Sequence, residues 1–466
     1  ILEREAGGAL SVTETLYEGA IASVRPVVGA AALVHGGARR AVRGRRATLK
    51  RFRSWSASER AADRPLVWVH APSVGEALMG QAIIGALREA RPEVQVAFTH
   101  FSPSAERVVG DVGADVWGYV PFDTRGPTRR ALAALKPTVI AFVRTEVWPV
   151  LTREAAQAGA AQVLVNAVLA EGSGRLRWLG RSFLESAYRR LRAVGAVSEA
   201  HADRYELLGV PPGRIRVTGD ARFDQVWDRI EQRGLARLRG VSDATDRVPG
   251  ELRPIWRLLH DPGTFTLVAG STWREDERVI LEPVRVLGRS RPLRLVIAPH
   301  QPTEAHLEAL ERRLDRQSLR HTRLGALLEG GEATPAEAPP VVVVDRLGIL
   351  ADLYALGDAA YVGGGFGGSG LHSVVEPAAL GVPVLFGPAH GNAREAGALA
   401  AAGGGYVVDG EGGFEDRLRE LVDRSGLAAE AGARARAYVR SETGAAERNA
   451  RLIVDLLQAP PPAARV

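Results

Sequence analysis

Short runs of β-branched residues alternate with Ala-, Leu- and Arg-rich stretches along most of this chain. That alternation constrains the fold more than any other feature. A first series gives candidate strands at Leu66–His70, Val94–His100, Val116–Val120, Thr138–Val143, Gln162–Asn166, Ala193–Val197 and Arg214–Thr218. Amphipathic stretches such as Glu76–Arg91 and Gly180–Arg192 separate them. Strands that are apolar throughout are buried on both faces, so the pattern predicts a parallel sheet with helices on either side. A charged helical stretch, Asp228–Asp261, with prolines at 249, 254 and 262 in and just after it, interrupts the series. A second series follows at Thr264–Ala269, Leu293–Ala298, Val341–Val344, Asp358–Val362, Pro383–Phe386 and Gly405–Val408. Gly330–Pro340 reads as a loop, and the Pro/Ala-rich tail Ala459–Val466 as disordered. The expected fold is α/β, with two doubly wound, Rossmann-like domains facing a cleft. The expected segments are an apolar and basic start (1–64), the two domains (65–232 and 255–440), and a C-terminal helix with its tail (441–466). Ligands of such sheets bind beyond the carboxyl ends of the strands, so functional residues are sought just after strands.

Composition narrows the chemistry. The 466 residues include no cysteine, which excludes disulfides, thiolate catalysis and Cys-ligated metals. Ten histidines are scattered without metal-ligand spacing, so neither a metal nor a cofactor is expected. Basic residues outnumber acidic ones by six, and residues 1–64 account for the whole excess. Eight of them lie in Arg39–Arg53, a stretch without acid that includes Arg39, Arg40, Arg43, Arg45 and Arg46. So local a cluster points to an anionic surface or ligand, not to nucleic acid. Leu16–Gly37 is mostly apolar, but Glu18, Arg25 and Pro26 break it below the ~18–20 apolar residues of a spanning helix. Its charges follow the apolar part instead of preceding it, unlike a signal peptide. The expectation is an N-terminal membrane-associating helix, apolar residues in the headgroup boundary and arginines on anionic lipid.

Several strand ends carry candidate site residues. After Leu66–His70 comes Ala71-Pro72-Ser73-Val74-Gly75-Glu76. Ser73 and Glu76 have capping-box spacing, which needs no function. The same position suits a carboxylate that takes a proton from a sugar hydroxyl. Arg144-Thr145-Glu146-Val147-Trp148-Pro149 follows the fourth strand, as a site acid or a capping acid with a core tryptophan. Gly219-Asp220-Ala221-Arg222-Phe223-Asp224 follows the seventh, and Arg222 either neutralises an anion or pairs with a nearby acid. In the second half, Gly363-Gly364-Gly365-Phe366-Gly367-Gly368-Ser369-Gly370-Leu371-His372-Ser373 runs into a helix carrying Glu376. Glycines allow close backbone approach to an anion, and a helix start offers free N–H groups. The spacing is not that of a P-loop. A plain surface loop has the same composition. Ser271 and Thr272, then His300, follow two further strands.

Taken in order, HAPSVGE, TEVWP, GDARFD, GSTWREDE, APH and GGGFGGSGLHSVVEPAALGVPVLFGP resemble the 3-deoxy-D-manno-octulosonic acid (Kdo) transferases of lipopolysaccharide synthesis. The resemblance runs from about Leu66 to Val408. It implies a GT-B glycosyltransferase that moves Kdo from CMP-Kdo to a lipid A precursor with inversion. It also implies Glu76 as general base, Glu146 as a second catalytic acid and Arg222 as a stabiliser of developing negative charge. Donor contacts would come from Ser271, Thr272, His300, Gly348, Gly370, His372, Ser373 and Glu376, the last on the CMP ribose. Acceptor and membrane contacts would come from Arg39, Arg40, Arg43, Arg45 and Arg46. The implied location is the cytoplasmic face of the inner membrane. The chain departs from the family at Arg144 (commonly acidic), at Ala298-Pro299-His300 (Pro-Arg-His), at Ile349 (Glu) and at Leu371-His372-Ser373 (Gly-His-Asn). Two other readings use the same residues: another GT-B enzyme such as a UDP-sugar transferase or epimerase, and a non-catalytic nucleotide-binding descendant.

Overall fold

The structure, a computed structural model, describes residues 13–23, 35–235, 248, 252–261, 263–329, 340–424 and 426–459. The chain divides into two compact units, Ile1–Gln225 with Thr443–Val466, and Val226–Glu442. Each contains one seven-stranded sheet, and every strand pair is parallel.

In the first unit the strands are β1 (Leu66–His70), β2 (Gln95–His100), β3 (Val116–Tyr119), β4 (Val139–Val143), β5 (Ala161–Ala167), β6 (Ala193–Ala196) and β7 (Ile215–Val217). Their order is β3-β2-β1-β4-β5-β6-β7. All seven expected strands are present, shifted by a residue or two at their ends. Val67, Val69, Val139 and Val163 pack toward one helical layer, while Trp68, Ile140, Phe142 and Leu164 pack toward the other. A strand buried on both faces cannot alternate polar and apolar residues, which is why these read as continuous apolar runs. The order reverses between β1 and β4, so the crevice of this sheet lies beyond those two strand ends.

The second unit has β8 (Phe265–Thr272), β9 (Leu293–Pro299), β10 (His321–Arg323), β11 (Val341–Val343), β12 (Ala359–Val362), β13 (Val384–Phe386) and β14 (Gly405–Val407). The order β10-β11-β9-β8-β12-β13-β14 reverses between β8 and β12. β10 is an edge strand that the sequence reading missed. His-Thr-Arg holds no apolar residue, and only pairing with β11 makes it a strand. The loop expected at Gly330–Pro340 and the tail after Ala459 lie outside the described residues, apart from Pro340 and Ala459 themselves.

The segment expected to supply an N-terminal anchor is described only as two helices, over residues 13–23 and Gly36–Ser58, and residues 24–34 of its apolar stretch lie outside the described residues. The piece Gly36–Ser58 docks on the edge strand β3. Thr48 Oγ1 accepts a hydrogen bond from Tyr119 N at 2.8 Å, and Phe52 and Trp55 are buried in the core. Arg39, Arg40, Arg43 and Arg46 are exposed on this helix, whereas Arg45 turns inward. The helix over residues 13–23 is held by its acids. Glu14 pairs with Arg190 and accepts from Ser186 Oγ at 2.8 Å, and Glu18 accepts from Arg153 at 3.0 Å. No helix among the described residues is long and apolar enough to cross a membrane.

Tyr17 of that first helix donates its hydroxyl to Asp123, which also accepts from Val150 N (3.0 Å) and Leu151 N (2.8 Å). Burial pushes Asp123 up to about 6. An acid whose pKa is raised in the fold binds a proton there that the unfolded chain has already lost. Stability from Asp123 is therefore fully present below its unfolded value of 3.8 and declines as pH rises to about 6. Chemical denaturation of wild type and Asp123→Asn at pH 4 and pH 7 should show their stability difference changing by about 2 kcal/mol, with wild type relatively weaker at pH 7. A pH-independent difference would contradict the burial argument.

The helix Ala445–Gln458 returns to the first unit and crosses the helix Val74–Ala90. Asn449 Oδ1 accepts from Asn166 N at 2.9 Å and from Thr218 Oγ1 at 3.2 Å. Asp224 accepts from Gly444 N at 2.6 Å and Ala446 N at 3.2 Å.

Candidate functional site

The two reversal points hold some of the residues singled out above: Glu76 and Glu146 in the first unit, Ser271, Thr272 and the glycine-rich segment in the second. In the first unit, Glu76 opens the helix after β1 and Glu146 lies in the turn after β4, the two strands between which the order reverses. Glu76 Oε2 accepts from Ser73 N at 3.0 Å and from Ser73 Oγ. The capping role is therefore present, and it fixes the carboxylate at the strand mouth. Burial raises the pKa of Glu146; Arg175 opposes that shift and the nearby charge of Glu76 adds to it. Two carboxylates thus share one electrostatic neighbourhood, the arrangement that separates an acid from a base.

The third residue, Arg222, joins this region through a chain of contacts. Its Nε donates to Asp220 at 2.8 Å, so pairing with a neighbouring acid is realised. Burial alone would raise the pKa of Asp220, but Arg222, with help from Arg144, holds it below the ordinary range. Asn166 Nδ2 reaches Asp220 (3.4 Å) and Met79 Sδ (3.0 Å), and Asn166 Oδ1 accepts from Ala221 N at 2.8 Å. Met79 lies one turn beyond Glu76 on the same helix and also meets Arg144 at 3.7 Å. Arg144 (φ 77°) and Asn166 (φ 51°) both adopt left-handed backbone, which costs non-glycine residues energy and concentrates at functional sites. The sequence reading missed Asn166 and Arg175. An Asn at a strand's carboxyl end, a residue type that tolerates left-handed backbone, is a recognisable signal; the reach of Arg175 to Glu146 is not.

Arg45 presents a second feature of this unit. Its guanidinium lies 4.8 Å from the Phe101 ring centroid, 5.3 Å from Tyr119 and 5.0 Å from Phe122. Burial lowers its pKa, and its Nε has no hydrogen-bond partner among the described residues. It borders a cavity of about 310 Å³ whose walls include Val42, Leu49, Phe52 and Phe122, with Arg46 and Arg130 as further cations.

In the second unit, Ser271 and Thr272 end β8 and the glycine-rich segment follows β12, again flanking the reversal. Asp276 ties the two loops together. It accepts from Trp273 N (2.8 Å), Gly364 N (2.9 Å) and Tyr361 Oη (2.7 Å), and burial raises its pKa. Gly364 (φ 96°) has no room for a side chain, since a Cβ there would lie 2.1 Å from the Gly370 carbonyl oxygen. Several loop N–H groups serve the protein itself: Gly363 N to Gly270 O, Leu371 N to Asn392 Oδ1 and His372 N to Gly363 O. The helix carrying Glu376 spans Val375–Ala379. Ser373 Oγ faces its Val375 N at 3.4 Å. Trp273, His300 and His372 form a stack, with ring centroids 4.8 Å and 4.3 Å apart, and Trp273 Nε1 donates to His372 Nε2 at 3.3 Å. Burial, helped by the charge of His300, lowers the pKa of His372. Thr272 Oγ1 is buried without a partner among the described residues. Ser271 adopts φ 54°. Gly348 is exposed with φ 94°, in the turn before Leu350, whose side chain crowds Gly270.

The family model described as 3-deoxy-D-manno-octulosonic-acid transferase (kdotransferase) matches residues 45–225. The 3-deoxy-D-manno-octulosonic acid transferase of Bordetella pertussis is 29% identical over 404 residues, covering 84% of this chain and 87% of that one. The transferase of Haemophilus influenzae is 26% identical over 324 residues, 69% of this chain and 70% of that one. Among solved structures, UDP-GlcNAc 2-epimerase from Neisseria meningitidis shares the fold, with a TM-score of 0.55 and 12% identity over 84% of this chain and 99% of that one. On the ordered motifs, the family model over residues 45–225 and these relatives together, the chain is similar to the 3-deoxy-D-manno-octulosonic acid transferases.

Proposed function

We propose that this glycosyltransferase transfers Kdo from CMP-Kdo to a lipid A precursor at the cytoplasmic face of the inner membrane. The observation that carries the reading is the Glu76 carboxylate, fixed by Ser73 at the reversal point of the first sheet beside Glu146. Glu76 accepts the proton of the acceptor hydroxyl as that oxygen attacks the anomeric carbon. The bond from that carbon to the CMP phosphate oxygen breaks, CMP leaves with the electron pair, and the configuration inverts. Glu146 and Arg222 belong to the same mouth, and Arg222, already paired with Asp220, supplies positive charge there as negative charge develops. We assign donor binding to Ser271, Thr272, His300, Gly348, Gly370, His372, Ser373 and Glu376 of the second unit. The shortness of the Val375–Ala379 helix moves the phosphate contact from a helix start to the loop and the cluster around His300 and His372. Arg45 and the cavity beside it pair a cation with apolar walls, which suits a phosphorylated, acylated acceptor. Arg39, Arg40, Arg43 and Arg46 then face anionic lipid.

Purified protein, CMP-Kdo made in situ and a tetraacylated lipid A precursor should give a product heavier by one or more Kdo units in mass spectrometry. No transfer by folded protein, together with preferential binding of UDP over CMP, would overturn the donor assignment.

A further inference from the structure

The turn leading into the helix Trp178–Arg189 has an unusual surface. Trp178 is 75% exposed and Leu179 is 53% exposed, adjacent in sequence at the helix start. Single exposed apolar residues need no explanation, but a Trp–Leu pair at a built tip is a different case. The tip is built by its backbone. Ser173 N donates to Ala170 O (3.0 Å), Leu176 N to Ser173 O (3.0 Å) and Arg181 N to Arg177 O (2.8 Å). A Cβ on Gly180 would lie 2.2 Å from the Gly174 carbonyl oxygen, so the turn is folded closely onto the helix start. Between Glu171 and Glu185 the segment carries Arg175, Arg177 and Arg181 and no acid.

We propose that Trp178 and Leu179 enter the headgroup boundary of an anionic bilayer, with Arg177 and Arg181 on the lipid phosphates. Indole rings favour that boundary because one edge is apolar and the N–H is polar, and each flanking arginine adds attraction to anionic lipid. The same turn carries Arg175, whose charge acts on Glu146 and whose side chain hydrogen-bonds to Tyr188. One turn therefore carries both the cation that acts on Glu146 and the lipid-facing tip. This deepens the membrane part of the proposed function and rests on it. It adds a contact that the N-terminal arginines do not provide.

The 466 residues include no cysteine, so Trp178→Cys gives a single labelling site. An NBD label there should shift to the blue with phosphatidylglycerol/phosphatidylethanolamine vesicles, and doxyl lipids should quench it. Phosphatidylcholine vesicles and high salt should weaken both effects. The double variant W178S/L179S should bind the anionic vesicles about tenfold less than wild type, with an unchanged thermal melt because both side chains are exposed. A label that stays water-exposed, or unchanged vesicle binding by the double variant, overturns the inference. So does a double variant whose only change is a lost self-association in sedimentation. Active enzyme with a water-exposed label refutes this inference alone. Inserted Trp178 without any Kdo transfer refutes the donor and acceptor reading instead.

Discussion

Turnover of the Glu76→Ala variant is expected to fall by about 10²-fold or more, the low end for losing a general base. The prediction has to be separated from the capping role, because the same carboxylate holds Ser73 N at the helix entrance. Losing a cap costs about 1 kcal/mol and shifts the melt by a few degrees without unfolding the protein. Ser73→Ala provides the control. It removes the hydroxyl that donates to Glu76 but leaves the carboxylate, so it should share the small stability loss and keep most of the activity. Glu76→Gln keeps a hydrogen-bond acceptor for Ser73 and removes basicity, so it should be stable and slow. Near-normal turnover in Glu76→Ala, with the melt lowered as in Ser73→Ala, would reduce Glu76 to a capping residue.

The second large effect is expected at Asp276. Its carboxylate receives two backbone N–H groups and the Tyr361 hydroxyl in a fully buried position. Asp276→Ala leaves those donors without acceptors, and each stranded buried donor costs about 1–3 kcal/mol. The summed loss over the three donors, about 3–9 kcal/mol, is comparable with the whole stability of a domain. Urea unfolding should show it as a much lower midpoint, with CMP binding lost in parallel because the β8 and β12 loops are no longer tied. Asp276→Asn keeps one oxygen acceptor and should fall between the two. A loss under about 1 kcal/mol in Asp276→Ala would mean that the loops hold each other by other contacts.

The strands and their grouping into two series could be read directly, because a doubly buried strand is apolar along its length and these short runs, rich in β-branched residues, alternate with longer helical stretches. What the sequence hid were choices of partner. Ser73 and Glu76 are three residues apart, so their contact follows from helix geometry. Asp276 and Gly364 lie 88 residues apart and meet only because β8 and β12 are neighbours across the reversal. Arg45 was read as one of a row of surface charges, and nothing in Arg43–Arg46 distinguishes it. The inward turn is set by the edge strand on which its helix docks, where Phe101, Tyr119 and Phe122 come together. β10 was missed for the same reason, since His321–Arg323 is a strand only by virtue of β11.

The return of the helix Ala445–Gln458 to the first sheet bears on how the protein is made. Asn449 and the backbone around Gly444 complete contacts at Asn166, Thr218 and Asp224 that the first 225 residues cannot make alone. A ribosome must therefore synthesise residues 226–442 before the last partners arrive, a delay of about 20 s at about 10 residues per second. During that interval the nascent first unit has a bare flank along the helix Val74–Ala90 and the Glu76 mouth has not been given its final support. The first unit is thus incomplete until residues 443–458 have been made, and a product truncated within the second unit is released with its first sheet lacking that helix.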